Sequence, residues 1–111
     1  MSQLANTPEP PYYAVIFASS RHDTDEPAYQ DTAARMMELA ARQPGFLGVD
    51  SARSDALGIT VSYWQDENAI KAWKHQVEHT EARRMGRENW YREFSLRVAR
   101  VERAYGLQGD D

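Results

Sequence analysis

Cysteine is absent from the 111 residues. Disulfides and thiol catalysis are therefore excluded, and a reducing, cytoplasmic setting suits the chain. Long apolar runs are missing too: none approaches the roughly 20 residues of a membrane span. The first residues show no basic-then-apolar leader, so a soluble protein without a membrane partner is expected. Glycine is sparse, at six residues, and no Gly-rich phosphate loop, dinucleotide fingerprint or nucleophile elbow occurs. Nor is there an excess of positive charge. Thirteen Lys and Arg stand against 17 Asp and Glu, for a formal net charge of −4, which argues against a nucleic-acid partner.

What charge there is divides unevenly. Residues 1–70 carry a net −6 and residues 71–109 a net +4. The basic half is suited to attracting an anionic small molecule, although a solvated helix face would look the same. The length fits one domain.

Residues 1–11 hold three of the five prolines and no periodicity, and read as a flexible N-terminal arm. Tyr12 to Ser20 is β-branched and aromatic, with apolar residues on both parities, as in a strand covered on both faces. A polar loop containing His22 leads to Pro27, placed for the first turn of a helix. Tyr29, Ala33, Met36, Met37 and Ala40 give that helix an apolar stripe, and Pro44-Gly45 stops it after about Gln43. Phe46–Ser54 and Ile59–Trp64 alternate as paired strands around a turn at Asp55–Gly58.

Asp66 is placed as the N-cap of a second helix. Ala69, Ile70, Trp73 and Val77 form its first apolar stripe. A second stripe through His79, Ala82, Gly86 and Asn89 implies a bend near residues 75–80 that would turn His79 inward. Glu93 to Tyr105 is the last strand. Its apolar residues change parity between Val98 and Ala99, which implies a bulge or burial on both faces. Residues 107–111 form a tail.

The order β-α-β-β-α-β is ferredoxin-like: a four-stranded antiparallel sheet with two helices on one face. Strands that are apolar on both parities need cover on the other face as well, and a second copy of the chain is the economical cover.

Several clusters carry a family resemblance. Gln43-Pro44-Gly45-Phe46-Leu47-Gly48 is one. Val61-Ser62-Tyr63-Trp64, followed by Asp66, Glu67, Ala69, Ile70, Ala72 and Trp73, is another. His79, Gly86-Arg87, Trp90-Tyr91 and the run Arg97 to Arg103 complete them. Across residues 12–106 the chain resembles the antibiotic biosynthesis monooxygenase domain family of the dimeric α+β barrel superfamily. The resemblance implies a homodimer with a pocket in each subunit between helices and sheet. It also implies oxidation of a hydroxylated aromatic or quinol-like small molecule by O2, with no metal and no cofactor. The deprotonated substrate would supply the electrons, and the pocket would position it and stabilise its anion.

Haem-degrading members are the alternative, with haem as ligand. They use an Asn on the first strand, a Trp on the second helix and a His ten residues later. Trp73 matches the Trp, but Phe17 and Ala18 stand where the Asn is wanted and Arg83 where the His is wanted. A non-catalytic small-ligand-binding dimer is a third reading.

His79 is the acid/base candidate, because an imidazole titrates near neutrality. His75 lies one turn earlier, away from the apolar stripe. Trp73 and Tyr63 are expected to stack the substrate ring, with Trp64, Trp90 and Tyr91 as further aromatic walls. Arg83 would offset developing negative charge. Residues 75–79 also spell H-x-x-E-H, an inverted zinc-peptidase signature. Nothing else in the chain resembles a peptidase, so no metal site is assigned.

Overall fold

In the computed structural model of the chain, residues 4–21, 37–54, 57–77 and 91–107 are described, with the side chains of Arg21 and residues 91–93 set aside. Strand β1 (Tyr12–Arg21) lies inside a sheet of order β2-β3-β1-β4, between β3 (Leu57–Trp64) and β4 (Tyr91–Val101). Its sequence YYAVIFASSR has neither Gly nor Pro to interrupt a ladder, and both of its edges are used. Every pairing is antiparallel. With a helical stretch α1 (residues 37–41) and α2 (Glu67–Val77), this is the ferredoxin-like α+β fold expected from the element order.

The boundaries differ in detail. Strand β2 (Phe46–Ser54) pairs with β3 from Phe46↔Trp64 to Ser54↔Leu57. Leu57 and Gly58, expected in the turn, therefore belong to β3. Strand β4 ends at Val101 rather than Tyr105, where its pairing with Tyr12 ends. The β1–β4 register shifts opposite Ser20/Arg21, not at Val98/Ala99. From Phe94 to Val101 the parity is unbroken, so Ala99 and Val101 lie on the second face of the sheet. Of the first expected helix, residues 27–36 lie outside the described residues.

The exit from α1 is tight. Arg42 and Gln43 donate backbone hydrogen bonds to the carbonyls of Leu39 and Ala40, at 3.3 and 3.0 Å. Gly45 then takes φ +89°, a conformation that side chains disfavour. Its carbonyl accepts the Gln65 N–H at 2.7 Å, tying the start of β2 to the end of β3. At the other end of that connection Asp66 caps α2, its Oδ1 accepting the Ala69 N–H at 2.8 Å, as the sequence predicts.

The α2 stripe Ala69, Ile70, Trp73 and Val77 is buried. It packs with Val15, Trp64 and Ala40, and Tyr13, Met37, Leu39 and Phe46 surround this core. Both helices therefore cover the face that carries Tyr13, Val15 and Phe17 of β1. The opposite face carries Ala14, Ile16 and Ala18, with Tyr63, Val61, Ile59 and Leu57 beside them. The N-terminal residues lie against one end of it: Ala5 N–H donates to Asp50 Oδ1 at 2.7 Å, and Thr7 Oγ1 shares a 2.9 Å hydrogen bond with the Tyr12 hydroxyl. At the other end Leu57 and Ile59 are 54% and 44% exposed. Among the described residues no helix is long and apolar enough to cross a membrane.

Candidate functional site

Helical spacing places Ile70 and Trp73 together on the inner side of α2, where they meet the end of β3. The rings of Trp64 and Trp73 lie 5.2 Å apart at 31°. Phe46 meets Trp64 edge-on at 5.3 Å and 79°. Trp64 is fully buried and Trp73 nearly so. Their N–H groups differ. Trp64 Nε1 donates to Ser62 Oγ at 2.9 Å, two residues back on the same strand face. Trp73 Nε1 is buried and has no hydrogen-bond partner among the described residues.

Trp73 also lines a cleft of about 210 Å3 between α2 and β4. Val15, Leu96 and Val98 form its floor, and Ile70 and Trp73 its inner wall. Register explains the floor: Val98 is opposite Val15, and Leu96 opposite Phe17, all on the helix-covered face. Leu96 and Val98 are nonetheless 47% exposed each. Glu67, Lys71 and Lys74 form the rim, one turn apart along the outer edge of α2. An apolar floor, an aromatic wall and a rim with two cations for one carboxylate suit a small flat molecule that carries or develops negative charge.

A second polar centre lies on the opposite face. Tyr63 donates its hydroxyl to Asp50 Oδ2 at 2.8 Å, and Asp50 Oδ1 holds the Ala5 N–H. Tyr12 packs edge-on against Tyr63, with centroids 6.0 Å apart and planes at 84°. Burial foremost, then the hydrogen bond and charge of Asp50, push the Tyr63 pKa from 10.0 to about 12. Tyr63 is therefore a phenol donor at neutral pH and not a base.

The structure brings Trp64 and Trp73 together but separates both from Tyr63. Neighbours on a strand point to opposite faces, so a ring on Trp73 cannot also stack on Tyr63 of the same chain. The Trp73–Tyr63 pairing on one substrate ring, expected from the sequence, therefore does not form within one chain. His79, Arg83 and Trp90 lie outside the described residues, as does the side chain of Tyr91, which opens β4 opposite Arg21. His75 is on the exposed side of α2. Sequence reasoning missed Lys71 and Lys74, although their three-residue spacing astride Trp73 was visible. It also missed Asp50, which counting back across the hairpin would have set beside Tyr63.

A family model described as antibiotic biosynthesis monooxygenase matches residues 12–85. The Bacillus subtilis protein YqjZ, itself uncharacterised, is 54% identical over 104 residues, which cover 93% of this chain and 90% of YqjZ. Two crystal structures of SnoaB, a cofactor-independent oxygenase from Streptomyces nogalater, superpose with TM-scores of 0.72 and 0.65 at 16% and 19% identity. They cover 86% and 88% of this chain and 97% and 98% of SnoaB. Rv0793 from Mycobacterium tuberculosis gives 0.70 at 15% identity, over 85% of this chain and 99% of its own.

Proposed function

The chain belongs to the antibiotic biosynthesis monooxygenase family, and from that membership we propose that it is a cofactor-independent monooxygenase acting on a hydroxylated aromatic or quinol-like small molecule. The observation that supports this reading is the α2–β4 cleft, with the Trp73 indole as its wall and lysines at its rim. A phenol lying on Trp73 loses its proton to a base, and the resulting phenolate is electron-rich enough to reduce O2. One oxygen atom is inserted at a ring carbon and the other leaves as water, so phenol plus O2 gives quinone plus water. The protein's part is to hold the ring, favour the anion and exclude water. Cationic groups within a few ångströms lower a phenol's pKa, a task open to Lys71, Lys74 and Arg83. His79 is the proposed base.

Haem fits the residues less well. Phe17 and Ala18 stand on β1, and Arg83 follows Trp73, where the haem-degrading pattern needs Asn and His. A cleft of about 210 Å3 is also small for a tetrapyrrole. The test is O2 uptake over a panel of dihydroxy-aromatic and quinol substrates with metal-stripped protein, run beside His79→Ala. Uptake that the variant loses supports the monooxygenase reading and the base. Uptake that appears only on adding haem overturns the reading.

A further inference from the structure

The cleft's size and rim narrow the class of molecule it takes, on the premise that it is the substrate site proposed above. An apolar cavity of about 150 Å3 holds one benzene ring. The α2–β4 cleft, at about 210 Å3, is therefore sized for one ring or two fused rings. Its walls are not neutral. Lys71 and Lys74 are exposed and sit one helical turn apart, on either side of the buried Trp73. Glu67 lies one turn before Lys71. If the i,i+4 pair Glu67–Lys71 forms, Lys74 still has no carboxylate partner among the described residues. The floor adds a second observation. Leu96 and Val98 are about half exposed while facing α2 across the cleft, and a flat apolar body would cover them.

We propose that the cleft binds mono- or bicyclic hydroxyaryl anions, of the hydroxyaryl carboxylate type. The ring lies between Trp73 and the Leu96–Val98 floor, and the carboxylate meets Lys71 and Lys74 at the rim. The fixed anion orients the ring and leaves the phenolic edge inside the cleft, where the chemistry proposed above would occur. Specificity then comes from the helix edge, and a neutral phenol of the same size is a poor ligand.

The test is calorimetric titration of the full chain with two probes that differ only in the carboxylate, 6-hydroxy-2-naphthoate and 2-naphthol, at low and high salt. Wild type is compared with the double variant Lys71→Ala/Lys74→Ala. Both lysines are exposed, so the variant should fold, and its melting curve checks this. The carboxylate should bind about tenfold or more tighter than the naphthol, the scale of one or two close charge contacts. High salt and the double variant should each remove most of that preference and leave the naphthol unchanged. Equal binding of the two probes, or a preference that survives in the double variant, overturns the proposal. Failure of the naphthoate to bind overturns it too. Oxygen uptake with a neutral quinol would then show that the monooxygenase reading stands without this charge rule.

Discussion

Trp64 and Trp73 stack 5.2 Å apart, yet only Trp64 has a hydrogen bond for its indole N–H, to Ser62 Oγ at 2.9 Å. Two side chains of one type in one core therefore differ in how far their polar atoms are satisfied. An unpartnered buried donor costs on the order of 1–3 kcal/mol. The structure tolerates that cost at Trp73, on the wall of the cleft, and avoids it at Trp64, which does not line the cleft.

The two tryptophans should respond unequally to the same substitution. Trp64→Phe opens a cavity and also leaves Ser62 Oγ buried without a partner, so it should cost about 3 kcal/mol or more. Trp73→Phe opens a similar cavity but removes the unsatisfied N–H, so its stability should stay within about 1 kcal/mol of wild type. Urea denaturation of both variants measures the difference. Equal losses would mean that Trp73 Nε1 has a partner in solution. If the donor serves a ligand, Trp73→Phe should also weaken aryl binding several-fold while remaining folded.

Much of the fold was legible because its local signals agree with one another. Asp66 before an apolar stripe, Pro44-Gly45 after one, and alternation through Phe46–Ser54 each have a single cheap structural solution. The site was less legible, for a geometric reason. Tyr63 and Trp64 are adjacent in sequence and alternation sets them on opposite faces, but only the packing of α2 shows that Trp73 joins the Trp64 face. Lys71 and Lys74 read as a solvated helix edge until β4 supplies the apolar floor opposite them. That contact joins residues more than 20 positions apart and leaves no periodic trace.

Tyr63 should titrate late. Its pKa is raised to about 12 by burial and by Asp50, so the native state favours the protonated phenol. That contribution to stability is complete below pH 10, the unfolded value, and is lost as pH rises through about 12. Ultraviolet titration of the six tyrosines should show one ionising well after the exposed ones. Asp50→Asn removes the charge but leaves the burial, so the late step should move down and stay above 10. A late step unmoved in Asp50→Asn would leave Asp50 with no part in the shift.

Asp50 also links the N-terminal residues to the sheet, through Ala5 N–H at 2.7 Å and Tyr63 at 2.8 Å. Removing residues 1–11 and changing Asp50→Ala delete one shared interaction. Their effects on stability should therefore be non-additive by about 0.5–1.5 kcal/mol in a double-mutant cycle. Strict additivity would show that the Ala5 contact contributes nothing in solution.

Gly45 joins α1 to β2 under two constraints. Its φ is +89°, and a Cβ there would meet Ala69 Cβ at 2.8 Å. Gly45→Ala should cost about 2–4 kcal/mol, from backbone strain plus the clash with α2. The two parts can be separated by adding Ala69→Gly. This removes the clash, keeps the strain and adds a cost of up to about 1 kcal/mol for a glycine in the first turn of α2. The double variant should then be more stable than the sum of the single effects allows. Additive losses would place the whole cost of Gly45→Ala in its dihedral angle.

The face of the sheet away from the helices is partly uncovered among the described residues. Leu57 and Ile59 lie on it, 54% and 44% exposed, beside Ile16, Val61 and Ala18, while residues near Ala5 and Thr7 occupy only the Tyr12–Tyr63 end. Two such faces packed together would bury apolar surface that water now meets, and we propose a homodimer joined through them. Ile59→Lys changes a residue whose side chain is already half in water, so it should alter monomer stability by less than about 1 kcal/mol. In a dimer it sets two ammonium groups into an apolar seam, and dissociation should follow. Phe94→Lys, at a residue 63% exposed on the helix-covered face, is the control. Sedimentation should find wild type and Phe94→Lys as dimers and Ile59→Lys as a folded monomer. A dimer that tolerates Ile59→Lys but is lost in Phe94→Lys would move the interface to the other face, over the mouth of the cleft.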